Sequence, residues 1–353
     1  MATTTSGLVG YVFADTAISH VDGDQGRLVI AGLDVEQLAT TESFEAAVAR
    51  VLAAGAATDR EPLALGPARQ AAWTMLPRLG DALTAPDAMD ALRAALAHLC
   101  STGDDHADAV AAIGAAPVFV AAWSRLRAGA EPIAPDPSLG HAADYLRMTT
   151  GAAPAAAARA LEAYLVTVID HGMNASTFTA RVITSTGSDL ISAVVGGGGA
   201  LKGPLHGGAP GPVLDMLDAI GEPARAEAWL LGELAAGRRI MGMGHRIYRV
   251  RDPRAAVLET AVKPLASPRL ELARAVETAA AKILRERKPD RPLAANVEFF
   301  TAVLLDAVGL PREQFAATFA VGRVGGWSAH VLEQRRTGRL VRPASRYVGP
   351  MPA

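Results

Sequence analysis

Three short segments, far apart in the chain, each carry a group able to move a proton or stabilise an enolate: Gly203-Pro-Leu-His206-Gly-Gly, Gly242-Met-Gly-His245-Arg and Asn296-Val-Glu298. Two histidines and a carboxylate suit carbon–carbon bond chemistry on a small anionic substrate. Deprotonation beside a carbonyl needs a base and a donor for the developing oxyanion. The His245 segment continues Arg246-Ile-Tyr-Arg249-Val-Arg251-Asp252-Pro253-Arg254, four arginines within nine residues of a chain whose formal net charge is −2. Such a local field is built for anions.

Each group also has a plainer reading. His206, between turn glycines, leaves its ring beside bare backbone N–H groups, but a helix-start histidine flanked by glycines looks the same. His245 gains weight from its arginine neighbours. Asp252-Pro253 reads as an N-cap with proline at N1. Arg254 then falls in the first helical turn, where a cation is disfavoured unless an anion binds there. Glu298 lies between Val297 and Phe299-Phe300 at the start of an apolar helix. Burial would raise its pKa and make it a better base, whereas a first-turn glutamate is also stabilised by the helix dipole alone. His171 on its own reads as a turn residue, and His20, His98, His106, His141 and His330 as surface or core histidines. Gly242-Met-Gly244-His-Arg-Ile lacks the third glycine of a dinucleotide fingerprint, and Gly196 to Lys202 lacks the Gly-Lys-Ser/Thr ending of a P-loop, so NAD and ATP are not expected.

The elements that must position these groups read almost entirely as helix. Residues 8 to 32, with Asp22-Gly-Asp-Gln-Gly26 and a short β-branched run, look like a small hairpin. Phe44, Ala47, Val48, Val51 and Leu52 recur at helical spacing, with Gly55 placed to cap the end. A helix from about Pro154 delivers His171 to the turn Asp170-His171-Gly172-Met-Asn174-Ala-Ser176. Gly196 to Gly199 and Gly203 to Gly208 make the most flexible stretch, a reasonable hinge. Ser267-Pro268 opens another helix, a further one runs from about Val297 to Val308, and a last spans Arg312 to Glu333. There Gly322, Gly325 and Gly326 would let a neighbouring backbone approach closely.

At 353 residues the chain fits two domains or one large one. Half its residues are hydrophobic and a fifth charged, and aromatics are scarce. The apolar volume must therefore come from small residues on helices, which suits abundant alanine. Near-neutral net charge argues against nucleic acid and membrane surfaces as partners. The single Cys100 gives neither a disulfide framework nor a metal-ligand spacing, which fits a reducing, cytoplasmic setting. No basic n-region precedes an apolar stretch, and no uncharged apolar run reaches the ~20 residues of a membrane span.

With these segments in this order, the sequence resembles the citrate synthase family from about Gly7 to Tyr347. Ala-Leu-Lys-Gly-Pro-Leu-His206-Gly-Gly-Ala resembles the family's first active-site histidine loop, and Met-Gly-Met-Gly-His245-Arg-Ile-Tyr-Arg-Val-Arg-Asp-Pro-Arg254 resembles its second. Asn-Val-Glu298-Phe-Phe occupies the place of the catalytic carboxylate. Asp-His171-Gly-Met-Asn-Ala-Ser-Thr-Phe is similar to the oxaloacetate-binding histidine segment. Val-Gly-Arg323-Val-Gly-Gly-Trp is similar to the segment supplying a substrate arginine, and Leu-Val-Arg342-Pro to an arginine donated across a dimer interface.

The resemblance implies a mostly α-helical enzyme of the tricarboxylic acid cycle. It implies a large domain (1–207 and 309–353) and a small inserted domain (208–308) with a cleft between them. Glu298 would take a proton from the thioester methyl, His206 would hydrogen-bond the enol oxygen, and His245 would polarise the oxaloacetate carbonyl. His171, Arg254, Arg323 and Arg342 would hold the dicarboxylate, with bidentate guanidinium pairs giving both orientation and charge. Arg249 and Arg291 match positions that contact CoA phosphates, and the Gly242 to Gly244 backbone matches an adenine-binding loop. No permanently bound cofactor or metal is implied; acetyl-CoA or propionyl-CoA is a co-substrate, and the expected assembly is a homodimer. The family carboxylate is usually aspartate. The extra methylene of Glu298 moves the base by roughly 1.5 Å, and about 1 Å of misplacement can cost a hundredfold. An active enzyme with an adjusted loop and a weak metabolite-binding paralogue are therefore both open. So are citrate and 2-methylcitrate as products; citryl-thioester cleavage lacks an ATP-binding domain to feed it.

Overall fold

The computed structural model describes residues 10–207, 210–287 and 293–352. Near the N-terminus β1 (Ser19–Asp22), β2 (Arg27–Ile30) and β3 (Leu33–Asp34) form an antiparallel sheet in that order, with Asp22 opposite Arg27 and Ile30 opposite Leu33. The Asp22 carboxylate accepts from the backbone N–H groups of Asp24 and Gln25, closing the first turn. The expected hairpin thus gains a third strand. Ala31 and Gly32 both take positive φ (43° and 88°), the conformation of a two-residue hairpin turn.

The rest is helical: α1 (Val35–Thr41), α2 (Phe44–Ala56), α3 (Gly66–Trp73), α4 (Ala88–Leu96), α5 (Asp105–Arg127), α6 (His141–Thr150), α7 (Ala155–Thr167), α8 (Ala175–Ser185), α9 (Leu190–Leu201), α10 (Pro210–Ile220), α11 (Ala226–Ala235), α12 (Pro253–Val262), α13 (Arg269–Arg287), α14 (Val297–Ala307) and α15 (Phe315–Thr337). Helix α2 starts as its pattern predicts, with Ser43 Oγ accepting from Ala46 N–H and the apolar face buried. It ends on Ala57 in the left-handed conformation rather than on Gly55. Gly55 lies inside the helix because a Cβ there would stand 2.2 Å from the carbonyl oxygen of Ala329.

Helix α15 is the axis of the core. It is buried on every side and packs on α2, α5, α7, α8 and α9. Its glycines allow the expected close approach: a Cβ on Gly326 would lie 2.1 Å from Ile169 O, and one on Gly322 3.0 Å from Leu165 O. The same reason corrects the reading of Gly196 to Gly199 as a flexible hinge. These glycines are inside α9, where a Cβ on Gly196 would meet Ile183 at 2.1 Å and one on Gly197 would meet the Trp327 ring at 2.9 Å. Gly196 and Gly197 are there for packing. Helix α5 is the one described helix long and apolar enough to cross a bilayer, and 78% of that window is buried within the protein, as for a core helix. Helices α10, α11, α13 and α14 pack on one another, while α12 lies across α1, α7 and α14.

Candidate active site

Helix α7 ends at Thr167, and the chain turns through Asp170, His171 and Gly172 (φ +60°) before Asn174 caps α8. The turn is pinned from below. Asp170 accepts from Gly172 N–H, from Ser19 Oγ of the small sheet and from His330 Nε2 of α15. His330 Nδ1 faces Arg181 Nη1 at 2.9 Å, and an arginine can only donate. The His330 proton therefore sits on Nε2, toward Asp170. Arg181 in turn is paired with Glu333 at 2.6 Å, so a buried polar chain runs beneath His171.

His206 follows α9 in a tight turn. Its Nε2 stands 2.8 Å from Ser176 Oγ and 3.2 Å from Asn174 Oδ1, and Ser176 Oγ accepts from Trp327 Nε1–H at 3.0 Å. The serine proton can go to Asn174 or to His206 Nε2. In the second arrangement the ring proton is on Nδ1, free to be donated to a ligand.

The second loop and the carboxylate form one stitched unit. Met243 bridges Ala295; Gly244 N–H donates to Ala294 O, Asn296 N–H to Gly242 O, and Asn296 Nδ2 to Gly244 O. Gly242 and Gly244 have φ of +71° and +85°, and a Cβ at either would strike Phe299 or Leu293 within 3 Å. This answers why glycine is needed there. His245 Nδ1 accepts from the backbone N–H groups of Ile247 (3.1 Å) and Tyr248 (3.2 Å). The ring is thus neutral with its proton on Nε2. Asp252 caps α12, and its carboxylate also takes Arg254 in a bidentate pair (3.0 and 2.7 Å) and Val297 N–H (3.2 Å). The anion that compensates Arg254 in the first turn of α12 is therefore its own N-cap. Asp252 ties the arginine to the start of the helix that bears Glu298.

Glu298 sits at the second position of α14 with its N–H capped by Asn296, and it is 8% exposed. Its Oε2 has no hydrogen-bond partner among the described residues. Burial drives the carboxyl up to about 7, with Arg254 opposing and Asp252 adding to the rise. Burial works the other way on the histidines. His206 is pushed down to about 4, helped by Arg323; His245 to about 4, helped by Arg254; and His171 well below its ordinary value. All three rings are neutral near pH 7. Arg323 is 1% exposed, donates Nε–H to Val168 O, stacks over Phe319 and remains protonated, although burial lowers it to about 10.

The structure brings together His171, His206, His245, Glu298, Arg254 and Arg323. The His171 and His245 rings lie 5.4 Å apart edge to face, His171 Nε2 reaches Tyr248 Oη at 3.1 Å, and Arg254 and Arg323 bear on both His206 and Glu298. Gly242 and Gly244 border it. Arg249 lies exposed on the same loop, and Arg342 is exposed in the extended segment beyond α15. Arg291 lies outside the described residues, as does Gly208. Sequence reasoning named Asp252 only as a cap and missed its hold on Arg254. It also missed Tyr248, Ser176, Trp327 and the Asp170–His330 pair. Polar residues flanking each candidate histidine were the available signal, but only the fold joins Trp327 and His330 to segments some 150 positions away.

The family model "Citrate synthase, C-terminal domain" matches residues 7–344. The chain is 54% identical over 193 residues to "Putative citrate synthase 2" of Mycobacterium tuberculosis. That match spans 55% of this chain and 52% of the relative, about half its length. It is 37% identical over 361 residues to the 2-methylcitrate synthase of the same species, covering 97% of this chain and 90% of that one. The structure superposes with a TM-score of 0.88, at 26% identity and over 100% of this chain and 98% of the other, on citrate synthase from Thermoplasma acidophilum in ternary complex with carboxymethyl coenzyme A and oxaloacetate. With a family model matched over nearly its whole length and the same fold, the chain belongs to the citrate synthase family.

Proposed function

We propose that this enzyme condenses an acyl-CoA with oxaloacetate and hydrolyses the resulting thioester, giving citrate and CoA when the acyl group is acetyl. The observation that carries the reading is Glu298, a buried carboxylate poised at about 7 with one oxygen unpaired, on a helix clasped to the His245 loop. A base with this pKa is matched to neutral operating pH. Glu298 takes a proton from the thioester methyl. His206, with its proton on Nδ1, donates to the developing enol oxygen, and the enol carbon attacks the oxaloacetate ketone. His245 Nε2–H polarises that ketone and supplies the proton as the new bond forms. A neutral imidazole suits both roles, because the donated proton stays partly held. Water then replaces CoA at the thioester carbonyl.

His171, Arg254 and Arg323 hold the dicarboxylate, joined by Arg342 of the partner subunit in a homodimer; the exposed position of Arg342 is compatible with that role. Arg249, Arg291 and the Gly242–Gly244 backbone take the CoA moiety. Residues 208–308 form the smaller, acyl-CoA-side domain of a two-domain arrangement. The relative named 2-methylcitrate synthase favours a second reading, in which propionyl-CoA is the preferred partner and 2-methylcitrate the product. One extra methylene is worth about 1–3 kcal/mol in a pocket, so the two are close.

The test is free-thiol release from acetyl-CoA and from propionyl-CoA, each with and without oxaloacetate. Release that requires oxaloacetate supports the condensation, and the ratio of rates assigns the acyl group. Oxaloacetate binding without thiol release would mark a metabolite-binding paralogue instead.

A further inference from the structure

Helix α7 packs on both α14 and α15, and each of the three presents a buried polar atom with no hydrogen-bond partner among the described residues: Tyr164 Oη on α7, Glu298 Oε2 on α14 and Arg323 Nη2 on α15. Two of these belong to the site already described. Tyr164 has no role in it so far, yet its side chain is fully buried. Burial, with the negative charge of Glu298 next, pushes its phenol well above 10, so it stays a neutral donor at every working pH. A buried hydroxyl left unpaired is a standing cost to the fold, and phenylalanine would keep the ring while removing that cost. Tyrosine at this position therefore points to use.

The donor and acceptor balance indicates which use. Tyr164 O–H and Arg323 Nη2–H are donors, and Glu298 Oε2 is the acceptor left over on the adjoining helix. Ionisation of Glu298 removes its one donor and leaves an acceptor-only carboxylate just when it must act as base. We propose that Tyr164 is a positioning residue for Glu298, its hydroxyl donating to the ionised carboxylate directly or across one shared water. This holds the longer glutamate side chain in one orientation and favours its ionised form. The inference rests on Glu298 being the base.

The test is Tyr164→Phe. The expected result is a shift of the acid limb of kcat/KM to higher pH by about half a unit to one unit, because a donor to the charged form has been lost. At pH 7 kcat falls about twofold to fivefold, KM for oxaloacetate is unchanged, and the thermal midpoint is unchanged or higher. An unmoved limb with a raised midpoint would make Tyr164 a packing residue only. A raised KM for oxaloacetate with an unmoved limb would make it a substrate ligand. Either overturns the proposal. A second readout needs no turnover: the protonated-carboxyl infrared band of Glu298, isolated by difference from Glu298→Gln and titrated in unliganded protein, must titrate at higher pH in Tyr164→Phe. If the wild type releases no thiol, the proposed function fails while this titration still decides the contact.

Discussion

Replacing Glu298 by glutamine separates its chemistry from its cost to the fold. The carboxyl moves from an ordinary 4.5 to about 7 on folding, a rise of roughly 2.5 units. At about 1.36 kcal/mol per unit this is roughly 3 kcal/mol. The sign follows from the raised value. The folded state prefers the protonated acid, so this contribution is complete below pH 4.5 and is lost as pH rises through 7. Glutamine is neutral throughout. Its amide carries a burial cost of its own, but that cost does not depend on pH. The stability of Glu298→Gln relative to the wild type should therefore climb by about 1.4 kcal/mol per pH unit between 5 and 7 and level off near 8. Urea unfolding of both proteins at equal concentration across pH 4.5 to 8.5 measures it. Turnover in the same variant should vanish. A stability difference that stays flat with pH would refute the buried, raised carboxyl, and near-normal kcat would remove Glu298 as the base.

Asp252→Ala leaves Arg254 buried without its partner and Val297 N–H without an acceptor, and should destabilise the protein by about 3–5 kcal/mol, read from denaturant midpoints. His245→Asn should lower kcat by about 10²–10³ while changing KM for oxaloacetate less than tenfold, since the Nε2–H acts chiefly on developing charge. Because burial holds the His206 and His245 rings at about 4, stability present above 6.5 is lost as pH falls through 4. His245→Asn should blunt that acid sensitivity in thermal melts. Gly242→Ala adds a Cβ 2.9 Å from the Phe299 ring at φ +71°, and should cost about 1–3 kcal/mol and lower kcat together.

The helices were legible where periodicity and caps agreed. Asp252 caps the helix its Asp-Pro pair announces, the helices expected after Ser43 and from Val297 start there, and the apolar faces behind them are buried. The glycines were legible in α15 but not elsewhere. Gly55 and Gly196 to Gly199 read as a stop and a hinge, because a sequence reports the freedom of a glycine and not the neighbour that forbids a side chain. The site was legible as three segments because the two histidines stand beside glycine or arginine and Glu298 interrupts an apolar run. What joins the segments was hidden. The Met243–Ala295 bridge is made by backbone atoms, and the Ser176–Trp327 and Asp170–His330 contacts depend on which helices α15 passes.

The three-stranded sheet carries no reactive group, yet it touches the site at both ends. Ser19 Oγ bonds Asp170 and Gly172 N–H beside His171. At the other end Gly23 O accepts from Arg249 N–H at 2.9 Å, and Cβ atoms on Gly23 and Gly26 would collide with Ile247 and Val250. The first hairpin is thus a gauge block, its four-residue strands setting how far the His171 turn stands from the His245 loop. The spacing of the two histidine segments is then open to adjustment from a turn that carries no reactive group of its own.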